Sequence, residues 1–177
     1  MGETMITKKV VLVGDFATGK TSLIRRYVDN QFSDEYLTTI GVKISKKSVS
    51  LSAAELKVDI QLMIWDIEGN TTDKPTNPAY IMGAHGLVIV ADCTREKSIA
   101  NIGMHLEECR KVLKDVPIFL AINKSDLIKD EDKLKALLSG LKDEYEALEF
   151  AYATSAKEGT NVETMFIELA QSMIATR

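Results

Sequence analysis

The fold of this chain is decided by the stretch GDFATGKT, residues 14–21. Its two glycines, its lysine and its threonine occupy the positions that a phosphate-binding loop requires. The stretch directly follows the apolar run at residues 10–13 and precedes a helical segment whose apolar side chains share one face. Such a loop presents successive backbone N–H groups and a helix N-terminus to polyphosphate oxygens. A plain glycine turn between a strand and a helix is the alternative, but a chance match occurs in roughly one chain in a hundred.

Two side chains of this loop have chemical roles of their own. Lys20 is expected to bring a positive charge to the terminal phosphates, and the Thr21 hydroxyl is expected to be a ligand of Mg²⁺. The sequence therefore predicts a site for a nucleotide polyphosphate and its metal ion at the start of the first helix.

Apolar runs alternate with longer segments of helical period along the rest of the chain, which is typical of a mainly parallel sheet covered on both faces. Residues 10–13, 87–91 and 118–122 are nearly all apolar, and we predict that they form the central strands. Stripes of apolar residues at spacings of three and four predict helices that pack on this sheet. These stripes lie at residues 99–113, 134–145 and 162–173.

Residues 42–51 and 58–66 are predicted to form a hairpin. Apolar residues alternate regularly in its second arm. In the first arm, apolar residues stand at even-numbered positions up to Ile44 and at odd-numbered positions from Val49 onward, so we expect a bulge or bend between these two residues.

The predicted fold class is therefore α/β with three layers. It has a mostly parallel six-stranded sheet, one antiparallel edge hairpin arm and about five flanking helices. No repeat, low-complexity tract or linker interrupts the 177 residues. We therefore expect a single domain over residues 1–177, and a monomer.

The composition excludes several classes of protein. The chain has 22 basic and 26 acidic residues and a net charge of −4, which argues against a nucleic-acid-binding surface. Cys93 and Cys109 lie in apolar surroundings and are predicted to be buried thiols of a reducing, cytoplasmic compartment. No apolar stretch approaches the roughly 18 residues of a membrane span. Since no prenylatable cysteine ends the chain, neither a lipidated C-terminal tail nor a direct membrane anchor is expected.

A second motif, NKSD at residues 123–126, follows the third central strand. In an open parallel sheet, ligands bind beyond the carboxyl ends of the strands. The Asp126 carboxylate can accept hydrogen bonds from N1–H and the exocyclic amine of guanine, a pair that adenine lacks. Because an unpaired buried carboxylate is costly, the site is predicted to reject adenine. Residues 155–157, SAK, are expected to present backbone N–H groups to guanine O6.

These residues together resemble the small GTPases of the Ras superfamily, and the Rab branch most closely. The resemblance extends from Lys8 to the last helix. It includes IWD at residues 64–66 with Gly69 three positions later, GAHG at residues 83–86 and TSAKEGTN at residues 154–161. It implies the P-loop NTPase fold and a GTP/GDP-binding molecular switch with Mg²⁺ as its cofactor.

The resemblance also implies roles for single residues. Asp66 would hold Mg²⁺ through a water, Thr39 would coordinate Mg²⁺ only in the triphosphate state, and Gly69 would reach the γ-phosphate through its N–H. Phe32 would pack on the guanine edge, and Tyr36 would cover the phosphates. The expected metal ligands are Thr21, Thr39 and Asp66. The expected nucleotide contacts are Asp15, Phe16, Ala17, Thr18, Gly19, Lys20, Thr21, Ser22, Phe32, Tyr36, Thr39, Gly69, Asn123, Lys124, Asp126, Ser155, Ala156 and Lys157.

Such a site would act as a switch. If the γ-phosphate and its Mg²⁺ hold Thr39 and Gly69, loss of that phosphate releases residues 33–41 and 67–80 together. Effector, exchange-factor and activating proteins are therefore expected to bind through these two segments. The protein is expected in the cytoplasm, or at the periphery of membranes through such partners.

Three residues around the γ-phosphate depart from the family pattern. Asn70 joins Lys20 and Gly69 as an expected catalytic residue, but the family usually has a water-orienting glutamine there, one methylene longer. A misplacement of about 1 Å costs on the order of a hundredfold in rate. Phe16 replaces a small residue and would crowd both the water and an arginine finger. Glu68 would bring a carboxylate near the triphosphate, where like charges repel, or would point to solvent.

Slow GTP hydrolysis and a remodelled second switch segment are therefore expected. Asn70→Gln should speed hydrolysis if Asn70 is the cause. Pro75 and Pro78 lack an N–H, so a regular helix is not expected to start before Pro78.

Two other functions compete with this one. A small-molecule kinase gathers several arginines around the transferred phosphoryl group, and the five arginines of this chain lie mostly away from the phosphate-facing loops. A non-hydrolysing, nucleotide-locked interaction scaffold, or pseudo-GTPase, is the stronger alternative. His85 and His105 lie far apart in sequence and have no acid at ligand spacing, so a zinc site is not expected.

Overall fold

The computed structural model of this chain describes residues 5–35, 38–53, 56–70 and 74–175. The strands are β1 (Ile6–Val13), β2 (Val42–Ala53), β3 (Leu56–Ile67), β4 (Gly86–Asp92), β5 (Ile118–Asn123) and β6 (Phe150–Ala153). The helices are α1 (Lys20–Asp29), α2 (Pro78–Ile81), α3 (Glu96–Ala100), α4 (Ile102–Val112), α5 (Glu131–Glu144) and α6 (Val162–Ala175), and Ser125–Leu127 form a 3₁₀ turn.

The six strands form one sheet in the order β2-β3-β1-β4-β5-β6. Only the β2–β3 pair is antiparallel, so the predicted sheet with one antiparallel edge arm is confirmed. From β1 the chain runs to one side for β2 and β3 and to the other side for the remaining strands. Ligands in such sheets bind where this direction reverses, beyond the carboxyl ends of the strands. The loop after β1 lies at that place.

The apolar runs of the sequence form the centre of this sheet. Every residue of β4 and β5 is buried, as expected of strands covered on both faces. On one face, α1 and α6 pack against the sheet, and the rings of Tyr27 and Phe166 stack with centroids 4.2 Å apart. On the other face, α4 and α5 bury side chains such as Leu106 and Leu141. The three-layer α/β prediction is confirmed.

The predicted bulge in β2 is wrong. β2 and β3 pair without interruption from Val42 opposite Ile67 to Ala53 opposite Leu56. The change of parity has another cause, because the strand has an apolar residue on each face. Val42 packs on the α4–α5 side of the sheet, whereas Val49 and Leu51 pack on the α1–α6 side.

The helix predicted over residues 99–113 is two helices, α3 and α4, which meet at Asn101. The Asn101 side chain donates to the Asp15 carboxylate over 2.8 Å. The apolar stripe continues across this junction, which is why the sequence pattern did not reveal the break.

In the second switch segment, Pro78 begins α2 and Asn77 caps it by accepting a hydrogen bond from Ala79 N. In the described part of that segment, the helix thus starts at Pro78 and not before it, as predicted from the two prolines.

Within the described residues, no helix is both long and apolar enough to cross a bilayer.

Candidate functional site

A cavity of about 300 Å³ lies at the carboxyl edge of the sheet and connects the glycine-rich loop with Asp126. Most of the expected nucleotide contacts line it: Phe16, Ala17, Gly19, Lys20, Thr21, Ser22, Phe32, Thr39, Gly69, Asn123, Lys124, Asp126, Ala156 and Lys157. Asp15, Thr18 and Ser155 do not line it. Their side chains bond to Asn101, to the carbonyl of Asp15 and to Asp126, respectively. Tyr36 lies outside the described residues.

Tight packing beneath the loop explains its glycines. A Cβ on Gly14 would lie 2.2 Å from the carbonyl oxygen of Val90, and a Cβ on Gly19 would lie 2.3 Å from Nδ2 of Asn123. Gly19 also has a φ of 96°, which disfavours residues with a Cβ. The loop backbone therefore follows a path that only glycine permits at these two positions.

Side chains at the end of β5 connect the part of the cavity around Asp126 with the glycine-rich loop. Asn123 Nδ2 donates to the carbonyl of Thr18 over 3.0 Å, and Lys124 Nζ donates to the carbonyl of Ala17 over 3.1 Å. The Lys124 ammonium also lies 2.7 Å from the buried Asp92 carboxylate. The two motifs recognised in the sequence thus form one connected structure.

The Lys20 ammonium lies inside the glycine-rich loop. Its Nζ donates to the carbonyls of Gly14 and Asp15, over 3.1 and 3.0 Å. The residue is only 5% exposed, and burial lowers the pKa of Lys20 to about 8, although the nearby Asp66 charge opposes this. The two carbonyl contacts place the amine beside the cavity.

Three oxygen-bearing side chains meet at the other side of the loop. Thr21 Oγ1 donates to Asp66 Oδ2 over 2.6 Å and lies 2.7 Å from Thr39 Oγ1, which in turn lies 3.3 Å from Asp66 Oδ2. Burial raises the pKa of Asp66, although the hydrogen bond from Thr21 and the charge of Lys20 oppose this. Asp66 Oδ1 is buried and has no hydrogen-bond partner within the described part of the chain.

This arrangement fits a hard divalent cation. Hydroxyl and carboxylate oxygens are the ligands that Mg²⁺ prefers, and a buried carboxylate with an unsatisfied oxygen gains from a nearby positive charge. The structure thus brings together the three side chains that are expected to be metal ligands, those of Thr21, Thr39 and Asp66.

The Asp126 end of the cavity contains an oriented acceptor. Ser155 Oγ donates to Asp126 Oδ1 over 2.6 Å, and among the described residues the other carboxylate oxygen has no hydrogen-bond donor. Ala156 N donates to Asn123 Oδ1 over 3.3 Å, so this N–H already has a partner. Arg26 of α1 donates to the carbonyls of Ala156 and Lys157, over 2.7 and 2.6 Å. This guanidinium fixes the position of the loop at residues 155–157.

Gly69 lies against the glycine-rich loop. A Cβ there would lie 2.5 Å from Phe16 Cα and 2.9 Å from Lys20 Nζ. Its closeness to Lys20 fits the expectation that its N–H reaches a terminal phosphate. Phe16 is 40% exposed and lines the cavity.

Asn70, which is expected to be a catalytic residue, does not line the cavity. Its N–H donates to the carbonyl of Gly14 and its carbonyl accepts from Phe16 N, over 3.1 and 3.0 Å, so it forms an isolated parallel bridge with Asp15. Its side chain is 6% exposed and points towards α4. The expectation that the side chain at position 70 is too short to reach the water stays a prediction.

Glu68 bonds to residues of both switch segments. Its Oε2 accepts from Gly41 N over 3.1 Å and from Lys74 Nζ over 2.8 Å, and its N–H donates to the Gly41 carbonyl over 2.8 Å. These hydrogen bonds lower the pKa of Glu68, that from Lys74 most. The carboxylate thus joins the two switch segments, and its expected effect on a triphosphate stays a prediction.

Sequence reasoning missed several residues of this region. Leu127 is 59% exposed and lines the cavity next to Asp126, and Asp34 lies 3.6 Å from Lys157 Nζ across the opening. His105 is only 1% exposed and bonds to Asp15. Its signal was present, since it follows Ile102 by three residues on the buried face of a helix, where a histidine needs a polar partner.

The sequence matches known proteins over most of its length. The model of the Ras family matches residues 9–175. The GTP-binding protein ypt1 of Schizosaccharomyces pombe is 33% identical over 167 residues, which cover 93% of this chain and 79% of ypt1. The Ras-related protein Rab-1D of Dictyostelium discoideum is 32% identical over 173 residues, which cover 93% of this chain and 78% of Rab-1D. By the match over residues 9–175 and by these relatives, this chain belongs to the Ras family, as a Rab-like small GTPase.

Proposed function

We propose that this protein is a GTP/GDP-binding switch that uses Mg²⁺ and hydrolyses GTP slowly. The observation that carries the proposal is the single cavity that joins the glycine-rich loop at one end to Asp126 at the other. Guanine recognition rests on the free oxygen of the Asp126 carboxylate, which Ser155 orients. Thr21, Thr39 and Asp66 would hold Mg²⁺, which screens the phosphate charges when bound.

Nucleotide affinity tests this proposal. GDP and GTP are expected to bind far more tightly than ATP, and more tightly with Mg²⁺ than with a chelator. Asp126→Ala should weaken GDP binding on the order of a hundredfold or more, because it removes hydrogen bonds to a charged acceptor. Asp132→Ala, an exposed carboxylate on α5, is the matched control. Equal affinity for ATP and GTP would contradict guanine recognition.

Single-turnover hydrolysis of bound GTP tests the slow chemistry. We expect a rate no higher than the order of 10⁻⁴ s⁻¹ that is typical of intrinsic hydrolysis. Phe16 supports this expectation, because its exposed ring lines the cavity beside Gly69. A rate well above that value would show that hydrolysis is not impaired.

The second candidate is a nucleotide-locked scaffold that does not hydrolyse GTP. The position of Asn70 outside the cavity favours it, since no side chain at this position then faces the phosphate end. Chromatography of the nucleotide that co-purifies with the protein distinguishes the two candidates. GTP after long purification supports the locked scaffold, and GDP supports turnover.

Partner proteins would recognise the two switch segments, residues 33–41 and 67–80. The Rab-like relatives support this, as do the contact of Thr39 with Thr21 and the hydrogen bond from Gly41 N to Glu68, which joins the two segments. We infer a cytoplasmic protein that reaches membranes through such partners. A pull-down with protein loaded with GDP or with a GTP analogue tests whether partner binding depends on the nucleotide.

A further inference from the structure

A polar cluster of buried and half-buried residues lies between the glycine-rich loop and α4, and we call it the Asn70 cluster. Its members lie outside the nucleotide cavity and join three parts of the chain. They are Asp15, Asn70, Thr76, Asn101, His105 and Glu108.

The Asn70 side chain has three polar contacts in this cluster. Its Nδ2 donates to Glu108 Oε2 over 3.2 Å and lies 3.4 Å from His105 Nδ1, and its Oδ1 accepts from Thr76 Oγ1 over 2.5 Å. A primary amide has two donor hydrogens, and both have partners here. The backbone N–H and carbonyl of Asn70 are also paired with the loop.

His105 connects this amide to the glycine-rich loop. Its Nε2 lies 2.7 Å from Asp15 Oδ1, while Asn101 Nδ2 donates to Asp15 Oδ2 over 2.8 Å. A proton on Nε2 and a lone pair on Nδ1 satisfy both contacts of His105 at once. Because Asn70 and His105 are 6% and 1% exposed, moving the amide into the cavity would leave buried polar groups unpaired, which is costly.

We propose that Glu108, Thr76 and His105 are positioning residues that hold residue 70 away from the phosphate end of the cavity, whichever nucleotide is bound. The proposal rests on the proposed function and gives a different reason for slow GTP hydrolysis. Hydrolysis is weak because the side chain at position 70 is sequestered, not because asparagine is shorter than glutamine. Asn70→Gln alone is then insufficient to speed hydrolysis, since the longer amide meets the same partners.

The first test observes the Asn70 side-chain amide by NMR in protein bound to GDP and to a non-hydrolysable GTP analogue. We expect slow exchange of this NH₂ with solvent and the same chemical shifts in both states. Shifts that move with the analogue, or fast exchange, would overturn the proposal. Backbone signals from residues 14–21 report nucleotide binding in the same spectra. Failure to bind nucleotide would therefore be distinguished as a failure of the proposed function.

The second test measures single-turnover GTP hydrolysis with Asn70→Gln as the background. Asn70→Gln alone should stay within about twofold of the parent, whereas adding Thr76→Val and Glu108→Ala should raise the rate about tenfold or more, because the amide is then free to approach the water. Glu107→Ala in the same background is the control, because Glu107 is an exposed residue of α4 outside the Asn70 cluster. Full acceleration by Asn70→Gln alone, or none in the released variant, would overturn the proposal.

Discussion

The Asp66 carboxylate is 2% exposed and has one oxygen without a partner among the described residues. A charge in such a place destabilises the protein until a cation approaches it. We therefore expect Asp66→Asn to leave the melting temperature of the nucleotide-free protein unchanged or raised. The same variant should lose the gain in GDP affinity that Mg²⁺ gives. Thermal melting and nucleotide titration, each with and without Mg²⁺, measure the two effects.

Asp132→Asn serves as the control for Asp66→Asn, because it removes an exposed carboxylate from α5. It should change neither the melting temperature nor the response to Mg²⁺. If Asp66→Asn kept its full response to Mg²⁺, Asp66 would not be part of the metal site.

Cys93 offers a pH-dependent test beside the nucleotide cavity. Burial raises the pKa of its thiol to about 11, and the charges of Asp92 and Asp126 add to this. Because only the thiolate reacts, about one molecule in a thousand is reactive at pH 8. Alkylation by iodoacetamide should therefore be slow at pH 8 and rise with pH up to about 11. Mass spectrometry of the labelled peptide measures the rate, and rapid labelling at pH 7 would contradict the raised pKa.

At the scale of elements, α5 contains an exposed glycine that the structure does not need. A Cβ on Gly140 would meet no atom within 4 Å. Since alanine is the better helix former, Gly140→Ala should stabilise the protein by about 0.5–1 kcal/mol. Denaturant unfolding measures this change. A destabilised variant would mean that the end of α5 is not the regular helix described here.

Glu68 joins the two switch segments at the same scale. Its carboxylate accepts from Gly41 N and Lys74 Nζ, and the lowered pKa of Glu68 means that these contacts favour the folded state above the usual glutamate pKa. Their contribution is lost as the pH falls through the lowered pKa. Glu68→Ala should speed hydrogen exchange of the Gly41 amide several-fold, measured by NMR at neutral pH.

Glu131→Ala is the matched control for Glu68→Ala, because Glu131 and Lys135 form an ion pair 4.0 Å long with both side chains exposed. Exposed pairs of this kind contribute little to stability, and exchange at Gly41 should not change. Unchanged exchange in Glu68→Ala would mean that the Gly41 amide is protected by other contacts.

The elements and most of the site could be predicted from the sequence because their signals are local. The glycine-rich loop, the buried strands and the carboxylate at Asp126 each show in a short window of residues. The Asn70 cluster could not be predicted, because Asn70 and His105 are 35 residues apart and meet only through packing. The apolar pattern of β2 gave a wrong prediction for a related reason. The strand has apolar residues on both faces, and the sequence does not show which side of the sheet covers each of them.

At the scale of the whole molecule, the nucleotide cavity lies between a rigid scaffold and two segments held in different ways. Thr39 meets Thr21 and Asp66 through groups that also suit a cation. Asn70, in contrast, is paired through both backbone groups with Gly14 and Phe16. The contacts of Thr39 are therefore expected to depend on the ligand in the cavity. The backbone hydrogen bonds of Asn70 join two parts of the protein and do not involve the cavity.

The two switch segments should therefore respond differently to the nucleotide. On exchange of GDP for a non-hydrolysable GTP analogue, we expect slower hydrogen exchange in peptides over residues 32–40, because the γ-phosphate and Mg²⁺ restrain Thr39. The Asn70 amide should exchange equally in both states, because it donates to the carbonyl of Gly14 within the protein, whereas the Gly69 amide is expected to be protected by the analogue. Hydrogen exchange followed by mass spectrometry for residues 32–40 and by NMR for the Asn70 amide measures both, with β4 as the invariant reference. Protection of the Asn70 amide only by the analogue would mean that the second segment is released with the γ-phosphate, as in a switch whose two segments move together.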